Sequence, residues 1–281
     1  MRRRLLTLGL AVGLGGVASF AFAGPGAERR ARASGDEARD PAAGARRIAR
    51  EASALLAPLV GDAPAPALEL LAAERFLALA SAAGEADATV FADFERDALV
   101  ARAGELAGER EGAEPPRGGP RGAGGGGPPR IVEPARARVF VHEAAKLHLR
   151  RALGARPAPW LEEGLACCVE DAWEQAADLG AERPDPDRRA RARLELRGGA
   201  RLERLFALDA RCFERGERVH RDVALAWAAA RHLVQGSARA RSALDAYFET
   251  LRETRSPERA NAALELGHSR AELERALAAG R

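Results

Sequence analysis

His142-Glu143 opens a pattern that does hydrolytic chemistry when it lies on a helix. The imidazole ligates a metal ion, and the adjacent carboxylate takes a proton from the water bound to that ion. The chemistry calls for a second histidine four residues on, because positions i and i+4 share a helix face and converge on one ion. In this chain position 146 is lysine. His148 does not restore the pair, since six residues carry it roughly 240° around a helix of 3.6 residues per turn. Downstream, Pro159-Trp160-Leu161-Glu162-Glu163-Gly164-Leu165-Ala166 offers two more carboxylates at the start of an apolar, helix-forming run.

Together, His142-Glu143-x-x-Lys146 and Trp160-Leu161-Glu162-Glu163-Gly164 resemble the paired motif helices of the gluzincin superfamily of zinc metallopeptidases, which includes thermolysin-like enzymes and related aminopeptidases. The resemblance is strongest over residues 138–171. It extends more weakly through 89–101 and to Ala224-Leu225-Ala226-Trp227, which is similar to a helix that follows the site in exported bacterial peptidase-MA-like proteins. It implies that His142 and Glu163 stand at metal-ligand positions, Glu143 at the general-base position and Lys146 at a lost ligand position. It also implies a carboxylate four residues after Glu163 that orients a ligating histidine. Cys167 occupies that place. Such enzymes often use a downstream Tyr or His on the oxyanion. The only tyrosine is Tyr247, within an amphipathic segment that reads as packing, and His220 and His232 read as surface or core histidines.

A lysine ligates a metal only after losing a proton from a group whose ordinary pKa is near 10.4. Carboxylates beside it, here Glu143 and Glu163, oppose that loss. Cys167, one turn after Glu163, is a soft donor that would complete an alternative set, His142/Glu163/Cys167. Without an ion, water keeps a pKa near 15.7 instead of about 7, and Glu143 has no activated nucleophile to serve. Lys146 is also the sole lysine, so arginine supplies 43 of the 44 basic residues. Either a compact ammonium stands where the metal would, paired with Glu143 and Glu163, or an exposed lysine sits on a helix that has lost its role. The resulting expectation is an exported metallopeptidase-like protein without a cofactor, a pseudopeptidase that binds a polypeptide or cell-envelope component. Two rivals stand beside it: a working zinc metallopeptidase with an unusual ligand set, and a purely structural helical envelope protein. In the last case His142, Lys146 and Glu163 have no reason to meet.

The elements that must position these groups read as mostly helical. Hydrophobic residues make up 47% of the 281 and aromatic residues only 5%, so alanine and leucine carry the core. The expected class is α+β: a predominantly helical, gluzincin-like domain over 46–281, with a small N-terminal sheet packed on the motif helix. Helices are expected at 48–59 and 74–83. Residues 67–72 suit a strand or a helix start, and alternation at 89–94 and 98–101 suits a hairpin. Glycine and proline dominate 108–130, which reads as a flexible loop. Arg138-Val139-Phe140-Val141 suits a short strand feeding a helix at 142–153, capped by Gly154, with a second helix at 160–177. Beyond Pro184 the chain reads as helices, with Gly236 ending one, Ser256-Pro257 starting another and Ser269-x-x-Glu272 boxing the last.

Arg2-Arg3-Arg4, the apolar run to Phe20 and Ala21-Phe22-Ala23 read as a cleavable signal over 1–23, followed by a disordered stretch at 24–45. Export to the periplasm or the extracellular space follows, with no membrane span after cleavage. Removing three signal arginines from 44 basic residues leaves 41 against 41 acids, so the mature chain is near neutral. Its arginines interleave with Glu and Asp, and no basic stripe carries aromatic platforms. That gives nucleic-acid binding no support. In an oxidising compartment Cys212 has the option of pairing with Cys167 or Cys168; three unpaired, buried cysteines are the alternative.

Overall fold

The computed structural model describes residues 41–83, 88, 90–102, 134–176, 186–198, 202–214 and 218–279. The expected signal at 1–23, residues 24–40 and the glycine-rich stretch at 108–130 lie outside the described residues. What is described is a predominantly helical α+β structure with one three-stranded sheet. Helix α1 spans Pro41–Val60 and so starts in the stretch expected to be disordered. Ala42, Ala45, Ile48, Ala49, Ala52, Leu55 and Leu56 are all buried at helical spacing. Alanines carry the first turns of that stripe, which a search for large apolar residues passes over.

The 67–72 ambiguity resolves as strand β1, Ala67–Leu71, followed by helix α2, Ala73–Ala83. Strands β2 (Val90–Asp93) and β3 (Ala98–Arg102) form the expected hairpin, with Phe91 opposite Val100 and Ala92 opposite Leu99. The sheet order is β1-β3-β2, with β1 parallel to β3. Side chains alternate between its faces. Val90, Ala92, Leu99 and Ala101 join the main core, while Phe91, Val100 and Leu71 close on Phe76 and Ala80 of α2.

Helix α3, Pro134–Leu153, contains Arg138-Val139-Phe140-Val141, so no strand precedes the motif. Val and Phe favour strands locally. Burial, however, falls on Ala137, Phe140, Val141, Ala144, Ala145 and Leu147, a helical stripe packed on α1 and on the following helix. Tertiary contact outweighs propensity here. Gly154 ends α3 at φ +60°, a conformation glycine adopts without steric cost. Helix α4, Pro159–Ala176, returns antiparallel and is buried all round from Trp160 to Glu174.

The rest is helical: α5 Pro186–Arg197, α6 Leu202–Phe206, α7 Arg211–Glu214, α8 Val219–Gln235, α9 Ala238–Thr254, α10 Pro257–Gly267 and α11 Arg270–Ala278. Gly236, Ser256 and the Ser269/Glu272 box cap them as their sequences require. Helix α8 crosses α4 so closely that a Cβ built on Gly164 would lie 2.3 Å from the Ala226 carbonyl oxygen. Three bonds tie α9 to distant helix ends. The buried Tyr247 hydroxyl accepts the Ala158 N–H at 2.7 Å, while Arg255 donates to the Leu153 carbonyl at 2.9 Å and Arg252 to that of Val60 at 2.6 Å. Cys167, Cys168 and Cys212 are all free thiols, the first two buried. Among the described residues no helix is long and apolar enough to cross a membrane.

Candidate functional site

A turn at residues 154–158 folds α4 back on α3 and sets their motif residues face to face. His142, Glu143 and Lys146 lie at i, i+1 and i+4 on α3, and Glu163 stands one turn into α4. The Lys146 ammonium is 3.0 Å from Glu163 Oε2 and 3.3 Å from Glu143 Oε1. Glu163 Oε1 is 3.1 Å from His142 Nε2. The second Glu143 oxygen accepts the Ala92 N–H of strand β2 at 3.2 Å, which joins α3 to the sheet. The structure therefore brings His142, Glu143, Lys146 and Glu163 together. Lys146 is not an exposed lysine: only 17% of its side chain is accessible.

The other imidazole nitrogen, Nδ1, lies 2.5 Å from Glu170 Oε1, and Glu170 Oε2 receives the Arg188 guanidinium of α5 at 3.0 Å. Glu170 thus orients the histidine from two turns beyond Glu163, not from one turn as the resemblance implied for position 167. Glu143, Lys146, Glu163, His142, Glu170 and Arg188 form a chain of groups that alternates in sign from end to end. Asp171 extends it, 3.6 Å from Arg188 and 3.7 Å from Arg231.

Burial sets the protonation of these groups, and their neighbours reverse it. Burial alone pulls the Lys146 pKa down, but Glu143, Glu163 and Glu162 outweigh it and raise the ammonium well above its usual range. The His142 ring, drawn down by burial and by Lys146, is raised well above its ordinary value by Glu163 and Glu170. Glu163, pushed up by burial, is held far below the carboxylate range by His142 and Lys146. Glu170 is lowered by His142 and Arg188 in the same way. An imidazolium that donates from both nitrogens has no lone pair for a metal.

The donor set therefore does not fit an ion at the motif. Lys146 is an ammonium, and both His142 nitrogens are engaged by carboxylates. The alternative trio His142/Glu163/Cys167 does not gather among the described residues. His142, Cys167 and Glu170 do, with donor atoms within 4.8 Å of one another. In that trio Glu170 already bridges His142 and Arg188, and burial with the nearby Glu170 charge pushes the Cys167 thiol up to about 11.

Beside Lys146 a shallow cleft of about 40 Å³, room for a water or two, opens between Phe94, Pro159 and Phe213. At its edge Arg150 pairs with the buried Glu162 through Nη2 at 2.8 Å and Arg156 reaches the same carboxylate at 3.2 Å. Tyr247 is buried on Ala158, His220 is exposed, and His232 stacks on His268 with ring centroids 5.3 Å apart. None of these three is among the groups that meet His142, Lys146 or Glu163. Sequence reasoning missed Glu170 and Arg188. Glu170 was findable, because seven residues after Glu163 returns to the same helix face. Arg188 carries no local signal, since it arrives from another helix.

No protein-family model, characterised protein or solved structure matches the chain.

Proposed function

We propose that this is an exported metallopeptidase-like protein of gluzincin type whose metal has been replaced by a fixed positive charge, and which binds a polypeptide without cleaving it. The observation that carries the proposal is the seat of the Lys146 ammonium, 3.0 Å from Glu163 and 3.3 Å from Glu143. The carboxylates at the ligand and general-base positions both face an ammonium, which has no coordination site on which to acidify a water. Glu143 is spent on Lys146 and on the Ala92 N–H, and Glu163 on Lys146 and His142. A helix pair preserved in outline but joined by ion pairs suits a scaffold that positions a surface. The shallow cleft walled by Phe94, Pro159 and Phe213 suits a backbone laid across it more than a side chain inserted into it.

Elemental analysis of untagged protein, with a protease assay in the presence and absence of chelator, tests the reading. The expected result is no stoichiometric zinc and no chelator-sensitive cleavage, with retained binding of a fluorescent unfolded polypeptide such as reduced, carboxymethylated lactalbumin. About one zinc per chain together with chelator-sensitive cleavage would overturn it. Lys146→His restores a metal-type donor at i+4 and is expected to take up zinc that the parent does not. Absence of uptake by this variant counts against the ancestry.

A further inference from the structure

Helices α5, α8 and α11 line a second, partly open cavity of about 260 Å³. Its floor is apolar: Trp227, Leu196 and Leu277. Its polar side chains are those of Arg193, Arg231, His232 and Gln235, of which the two arginines carry fixed positive charge. No carboxylate lines it among the described residues. This lining stands out in a chain where 44 basic residues face 41 acids.

Neither arginine has its donors saturated. Arg193 has no ion-pair partner among the described residues. The nearest Arg231 carboxylate, Asp171, lies 3.7 Å away, is shared with Arg188 at 3.6 Å and already accepts Trp227 Nε1 at 2.8 Å. The Arg231 guanidinium carbon stands 5.5 Å from the Trp227 ring centroid, so charge and aromatic surface meet at one wall. An apolar floor under two under-used guanidinium forks fits a ligand with an apolar body and a planar anionic head, which arginine grips through two parallel N–H bonds. A cavity of about 150 Å³ admits benzene, and in proportion this one admits about ten non-hydrogen atoms.

We propose that this cavity is a binding site for a small organic carboxylate of about that size, with an aromatic or branched apolar body on Trp227, Leu196 and Leu277 and its carboxylate on Arg193 and Arg231. The site uses none of His142, Glu143, Lys146 and Glu163, so its test is independent of the metallopeptidase-like reading.

The probe is 3-phenylpropionate, titrated into the full chain by calorimetry and followed by tryptophan fluorescence. Saturable binding with a Kd of about 1 mM or tighter is expected for a ligand of this size. The neutral 3-phenylpropanamide is expected to bind about tenfold more weakly, the loss of a charge-assisted contact. Arg193→Ala, at a partly exposed position without an ion-pair partner among the described residues, is expected to fold normally and weaken the acid about tenfold. Ala228→Leu, which fills the floor and keeps both arginines, is expected to abolish binding. No saturation, equal affinity for acid and amide, or an unchanged Kd in either variant overturns the proposal. Displacement by equimolar inorganic phosphate also overturns it, because the site would then read charge without the apolar body.

Discussion

Replacing Lys146 with methionine removes one charge and little volume, and isolates what the ammonium contributes. At the observed separations of 3.0 and 3.3 Å, each carboxylate attracts it by roughly 5 kcal/mol at an effective dielectric of about 20. Taking the ammonium out of water costs several kcal/mol in the other direction, so the pairs are not a net gain of that size. Removing one member alone leaves carboxylates uncompensated, and with side chains only 11–17% exposed the screening by solvent is small. Loss of one partner of a buried pair costs about 3–5 kcal/mol. Glu163 keeps His142 at 3.1 Å, which places Lys146→Met at the lower end, about 3 kcal/mol. Urea unfolding followed by circular dichroism should show the midpoint fall by about 1–1.5 M. The melting temperature should drop by about 6–12 °C. Adding Glu143→Gln, which keeps an acceptor for the Ala92 N–H, should recover at least about 1 kcal/mol as a coupling between the two sites. A Lys146→Met variant within about 0.5 kcal/mol of the parent, as for an ordinary surface residue, refutes the reasoning.

Three further perturbations test the surrounding frame. Gly164→Ala forces a methyl against the Ala226 carbonyl and should cost about 2–3 kcal/mol in a denaturation curve, because backbone cannot yield as a side chain does. Tyr247→Phe strips the buried Ala158 N–H of its acceptor and should cost about 1–3 kcal/mol, with the two motif helices still folded by circular dichroism. Glu170→Gln should lower the His142 pKa measured by NMR, and its stability deficit should depend on pH. The folded pKa of Glu170 is depressed, so its contribution is present above the ordinary carboxylate range and fades as pH falls from about 5. That of His142 is raised, so its share is complete below about 6.5 and fades as pH climbs through the folded value. The gap between parent and variant should therefore be widest in mildly acidic solution and shrink as pH falls through the depressed folded pKa of Glu170. A gap that does not vary with pH contradicts the assignment.

The parts of this structure that could be read in advance are those written locally. Ser256 and Ser269 specify helix starts through their own side chains, Gly154 a helix end through its backbone, and the i, i+4 spacing the shared face of His142 and Lys146. Lys146 between Glu143 and Glu163 was legible for the same reason, once two helices and a short turn were granted. What failed was set at a distance. Residues 138–141 are helical because α1 and α4 bury Phe140 and Val141, and no property of the tetrapeptide announces those neighbours. The early start of α1 hid in alanines, whose contribution to a stripe is small one by one. Arg188, which completes the Glu170 pairing, reaches it from a separate helix.

The bonds from Tyr247, Arg252 and Arg255 have a consequence in time. They satisfy Ala158, Val60 and Leu153 from 89, 192 and 102 residues away in the chain. A ribosome adding about 5–20 residues per second needs roughly 5–20 s to move from the end of the motif helix to its latch. Throughout that interval the carbonyl end of α3 and the entry to α4 lack these partners. Until Tyr247 and Arg255 have been made, the turn that joins the two motif helices lacks the Ala158 and Leu153 bonds that close it in the finished protein.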